Sequence, residues 1–82
     1  MMKGMVTVML KQDVLDVQGQ AIQHSLHALG FEQAQKVRIG KSIEVELEAS
    51  TPEEAQAQLK AMCEKLLVND VIEDYTLQVQ EA

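Results

Sequence analysis

The chain has 82 residues, the size of one domain (residues 1–82) that leaves roughly 40% of its unfolded-state surface exposed after folding. Thirteen acids against seven bases give a formal charge of −6, which repels phosphate backbones and anionic lipid surfaces and argues against nucleic-acid or membrane-surface partners. A single cysteine, Cys63, excludes an intrachain disulfide and a multi-cysteine metal site, and two aromatics, Phe31 and Tyr75, make no stacking platform for bases or sugars. No apolar run approaches the roughly eighteen residues of a membrane span. Met1-Met2-Lys3-Gly4 lacks the apolar stretch of a signal peptide. The expected location is the cytoplasm.

Met5 to Leu10 alternates as a first strand, with Val6, Val8 and Leu10 on one side and Met5, Thr7 and Met9 on the other. Asp16 is placed to cap a helix, because its carboxylate can accept from free amides of the first turn. Ile22, Leu26 and Leu29 then form one helical stripe, Gly30 suits a left-handed C-terminal cap, and Phe31 follows to pack on the last turn. Gln35 to Ile39 reads as a short strand with Arg38 outward, and Gly40-Lys41 as a tight turn. Ile43, Val45, Leu47 and Ala49 alternate with Ser42, Glu44, Glu46 and Glu48, the pattern of a strand with one face packed and one polar.

Thr51-Pro52-Glu53-Glu54 opens the second helix as a capping box with proline in the first helical position. Ala55, Leu59, Met62 and Leu66 carry its buried stripe, with Cys63 beside it. Asn69-Asp70 turns the chain into a last strand over Val71 to Val79. The order is strand, helix, strand, strand, helix, strand. It predicts an α+β two-layer sandwich of the ferredoxin-like plan, a βαββαβ chain with a four-stranded antiparallel sheet and two helices on one face. The other face would carry Thr7, Arg38, Glu44, Glu46, Glu48, Gln78 and Gln80 with Met5 and Met9. A small private core and open strand edges predict self-association through the sheet, as a dimer or a dimer of dimers.

Chemistry-bearing groups are sparse. His24 and His27 lie three apart on one helix with no third ligand at a metal motif's spacing. Cys63 has no histidine near it in sequence, and Glu44, Glu46 and Glu48 spread along a strand instead of converging. Arg38-Ile39-Gly40-Lys41 puts two cations around a glycine, a setting for a carboxylate or phosphate, but it is no Walker loop. No catalytic, cofactor-binding or metal-binding residue is expected. The fold plan also serves RNA modules, metallochaperones and ligand-sensing regulatory domains. Glutamates on the open face and the single cysteine disfavour the first two.

Four stretches in register resemble one family: Leu10-Lys11, Val14 to Ala21, Val37 to Lys41, and Cys63 to Tyr75. From about Met5 to Val79 the chain is similar to PurS, the small subunit of phosphoribosylformylglycinamidine (FGAM) synthetase. One departure is Val17, where the family often has proline. The resemblance implies a non-catalytic, dimeric subunit of a complex in de novo purine synthesis. A glutaminase subunit would release ammonia, and an ATP- and magnesium-using synthetase subunit would consume it. This chain would bind neither cofactor; it would assemble the two and help ammonia pass between them. The segments carried over as partner-binding candidates are Asp16, Gln18 and Gly19 in the first loop, and Arg38, Gly40 and Lys41 in the second. The alternative reading is a regulatory domain that binds a small molecule as a dimer.

Overall fold

The computed structural model describes all residues, 1–82. Its elements are β1 (Met2–Leu10), α1 (Val17–Ala28), β2 (Gly40–Leu47), α2 (Pro52–Met62), a π-helical turn (Cys63–Leu67) and β3 (Glu73–Glu81). No helix is long and apolar enough to cross a membrane. The three strands form one antiparallel sheet in the order β2-β1-β3. Val6 lies opposite Ile43 and Leu77, and Thr7 opposite Ser42 and Thr76. Met2, Gly4, Val6 and Val8 therefore share one face with Ile43, Val45, Leu47, Tyr75, Leu77 and Val79. The other face carries Met5, Thr7, Met9, Glu44, Glu46, Gln78 and Gln80, as the alternation predicts.

Both helices begin where the side chains dictate. Asp16 Oδ1 accepts from the Gly19 amide at 2.8 Å. Thr51 Oγ1 accepts from the Glu54 amide at 3.1 Å, while Glu54 reaches back to the Ser50 amide at 3.2 Å. Helix α1 ends in a Schellman motif: Gly30 adopts φ 100°, its amide bonds to the His27 carbonyl, and the Phe31 amide to that of Leu26. Asn69 shapes the entry to β3, its Oδ1 accepting from the Val71 amide at 3.1 Å.

Helix α2 packs over β1 and β3, and the core lies between them. It comprises Met2, Val6, Val8, Leu47, Ala55, Leu59, Cys63 and Val68. Gly4 is glycine because Leu59 rests on it: a Cβ there would run into the Leu59 side chain. Only 11 of 82 residues are buried, so this core is thin. The radius of gyration is 16.2 Å, against about 12 Å for a compact chain of this length. Helix α1 makes no substantial contact with the sheet or with α2.

Three expectations are corrected. The sheet has three strands and not four, because Gln35–Ile39 joins no strand ladder. Side chains take the backbone groups a ladder would need: Gln23 and His27 bond to the Gln35 and Ala34 carbonyls, and Asp16 accepts the Ile39 amide. Gly40-Lys41 is accordingly no turn but the start of β2, opposite Met9 and Val8. Second, α1 does not join α2 on the sheet. It projects with segment 33–39 as an arm, leaving Ile22 39% and Leu29 73% exposed. Third, Leu66 is 83% exposed, since the π turn carries an extra residue and rotates it off the core-facing stripe, while Cys63 remains inside.

Candidate functional site

The two segments singled out in the sequence converge where the arm leaves the sheet. One limb, Lys11–Asp16, runs from β1 into α1. The other, which we call the strap, returns along α1 through Ala34–Ile39 into β2. Asp16 is 5% exposed, and its carboxylate bridges the limbs: Oδ1 accepts from the Gly19 amide at 2.8 Å and Oδ2 from the Ile39 amide at 2.7 Å. These two amides, that of Ile39 foremost, hold its pKa below the usual carboxylate range against the opposing effect of burial, and the Arg38 charge adds to them.

Arg38 reaches the other way. Its Nη2 donates to the Lys11 carbonyl at 2.8 Å and the Leu10 carbonyl at 3.2 Å, and Nη1 to the Val14 carbonyl at 3.3 Å. Its Nε is buried without a partner. Gly19 is buried against the strap, where a Cβ would press into the Val37 carbonyl oxygen. Asp16, Gly19 and Arg38 thus face inward.

Gln18 and Lys41 are exposed. With Gly40 and Glu73 they join Val8, Leu10, Asp16 and Ile39 in lining an open cavity of about 300 Å³. Lys41 Nζ lies 3.9 Å from Glu73, and Lys11 pairs with Asp74 at 2.8 Å. The cations here are largely answered by acids of the same chain, so this end offers no bare positive patch.

Gln23, which the sequence did not single out, and His27, weighed there only as a metal ligand, take a structural role. Gln23 Nε2 donates to the Gln35 carbonyl at 2.6 Å, and His27 Nε2 lies 2.7 Å from the Ala34 carbonyl. The signal was present: Gly19, Gln23 and His27 recur at i, i+4 and i+8, one non-apolar face of the helix, and that face meets the strap. His24 is exposed on its own. Cys63 is fully buried, and burial first, then Glu64, pushes its thiol pKa up. No three His, Cys, Asp or Glu side chains gather closely enough to hold a metal ion.

Val17 stands at the first helical position of α1, after an Asp16 with extended backbone, and is 66% exposed. Its amide has no intrahelical partner to lose. Val17→Pro should therefore stabilise the chain by about 0.4–1 kcal/mol, by restricting the unfolded state. A urea titration at fixed protein concentration checks this; a lowered midpoint would show that the amide or the side chain is used.

Residues 3–81 match the family model described as PurS, phosphoribosylformylglycinamidine (FGAM) synthase. The chain is 49% identical over 81 residues to the PurS subunit of that synthase from Bacillus subtilis, covering 99% of this chain and 95% of the relative. The crystal structure of Methanocaldococcus jannaschii PurS, described as one of the subunits of formylglycinamide ribonucleotide amidotransferase in the purine biosynthetic pathway, superposes with a TM-score of 0.91. It is 36% identical and covers 100% of this chain and 99% of that one. A chain of PurLQS from Thermotoga maritima superposes with a TM-score of 0.86 at 33% identity, covering 98% of this chain and 99% of that one.

Proposed function

The chain belongs to the PurS family, subunits of FGAM synthase in purine biosynthesis, and we propose that it acts there as a non-catalytic assembly subunit. It joins the glutaminase subunit to the synthetase subunit and shields ammonia in transit. ATP and magnesium are used by the complex and not by this chain. Its partners are protein chains of the cytoplasm, neither nucleic acid nor membrane.

One observation carries this reading: the chain leaves unburied what a self-sufficient domain would bury. Helix α1 extends from the sheet with Ile22, Leu29 and Phe31 exposed. Both edge strands, β2 and β3, are open, and α2 covers β1 and β3 but not β2 to a comparable degree. Such surfaces gain free energy by meeting other chains. We further propose that two copies pair through the sheet, which covers its open strands, and that the arm and the cavity at its root meet the partner subunits.

The test is size-exclusion chromatography with light scattering, on the chain alone and mixed with the matching glutaminase and synthetase subunits in the presence of glutamine and Mg-ADP. The expected result is a dimer alone and a single co-eluting complex in the mixture. A chain that stays apart under every ligand condition contradicts the assembly role. Saturable binding of a small molecule to that lone chain, measured by calorimetry, would establish the regulatory alternative.

A further inference from the structure

The arm poses a mechanical problem. Helix α2 is fixed by packing on β1 and β3, but α1 has no comparable contact with the sheet. Hydrophobic packing therefore does not set its direction, and something at its root must.

The root is tied reciprocally. Asp16, on the outgoing limb, accepts the amide of Ile39 on the incoming limb at 2.7 Å. Arg38, on the incoming limb, donates to the carbonyl of Leu10 at the end of β1 and to those of Lys11 and Val14 on the outgoing limb. Leu10 ends β1 and Ile39 immediately precedes β2, so these bonds sit at the points where the arm meets the sheet. Asp16 also accepts the Gly19 amide, which locks the first turn of α1 to the same carboxylate. Further out, Gln23 and His27 hold the strap against the helix. They keep the arm together but leave its angle to the root.

We propose that Asp16 and Arg38 are positioning residues: they latch the two limbs of the arm to each other and so fix the direction in which α1 is presented to a partner chain. The second clause rests on the assembly role proposed above; the first does not. Asp16 is 5% exposed at the cavity wall with its carboxylate turned to two amides, and the Arg38 guanidinium is turned to backbone carbonyls. Their effect on assembly is transmitted through α1.

Asp16→Ser separates the latch from a simple helix cap. Serine caps a helix about as well as aspartate, so the Gly19 amide keeps an acceptor. A single hydroxyl oxygen on a shorter side chain cannot also serve the Ile39 amide. Residue-resolved amide hydrogen exchange on the full chain should show the Ile39 amide exchanging about tenfold to a hundredfold faster. The Gly19 amide, and the core amides of Val6 and Leu77, should stay within about twofold, because local opening is independent of the core. Arg38→Lys keeps the charge but loses the fork that reaches three carbonyls, and should open the Ile39 amide likewise.

Affinity of Asp16→Ser for the glutaminase and synthetase subunits should fall about tenfold or more, as expected when an ordered element becomes mobile before binding. Unchanged Ile39 exchange overturns the latch. Core amides accelerating in step with Ile39 overturn it too, since the residue would then be merely structural. A loosened arm that binds its partners as tightly as wild type overturns the link to assembly. If the wild-type chain itself does not assemble, the assembly reading fails, and the exchange pattern still decides the latch.

Discussion

Leu59→Ala is expected to remove about 2–5 kcal/mol from a chain whose whole stability, at its length, is about 4–12 kcal/mol. Leu59 is fully buried and is the side chain through which α2 rests on β1 at Gly4. The core holds only eight residues, so there is little neighbouring structure to collapse into the gap. The geometry also specifies a partner substitution. Gly4→Ala alone should destabilise by about 1–3 kcal/mol, because its Cβ would occupy space taken by Leu59. In the Leu59→Ala background the same methyl enters the vacated space and should be neutral or stabilising. Urea unfolding of the four proteins at one protein concentration gives the coupling. Additive effects would show that Leu59 does not sit on Gly4.

Much of the fold was legible because its signals are local. The Asp16 and Thr51 caps, the glycine at position 30 and the alternation from Ile43 to Leu47 each involve residues within a few positions, and all four appear as read. Gln35–Ile39 was read wrongly for a physical reason. Its alternation suits a strand, but its backbone is taken by side chains 12 and 23 residues away, those of Gln23 and Asp16, and periodicity does not register that competition. The direction of α1 was hidden in the same way. A stripe such as Ile22, Leu26 and Leu29 announces a surface to be covered without saying whether the cover is its own sheet or another chain. Leu66 was misplaced because a π turn breaks the 3.6-residue period that the stripe assumes.

The candidate site was half legible. The family resemblance singled out the segments around Asp16 and Arg38 only as separate partner contacts; that they bond to each other appears in the structure alone. Their orientation was not readable. Arg38 was expected outward on a strand, yet its guanidinium is turned to the carbonyls of Leu10, Lys11 and Val14, the nearest acceptors to a cation on an unpaired segment. Gln18, Gly40 and Lys41 remain the members of the group open to another chain.

The largest functional effect expected of this chain is on the source of nitrogen. Ammonia released into bulk water is diluted and, near neutral pH, mostly protonated to ammonium, which has no lone pair with which to attack. Holding the releasing and consuming sites together supplies neutral ammonia at high effective concentration. Added ammonium salt bypasses that need. The most direct test is FGAM formation by purified glutaminase and synthetase subunits with ATP and magnesium, run with and without this chain, on glutamine and on ammonium salt. With glutamine, the chain should raise turnover about tenfold or more, a barrier difference of about 1.4 kcal/mol or greater. With ammonium salt, the two rates should agree within about twofold. An undiminished glutamine-dependent rate in the absence of the chain would contradict the account.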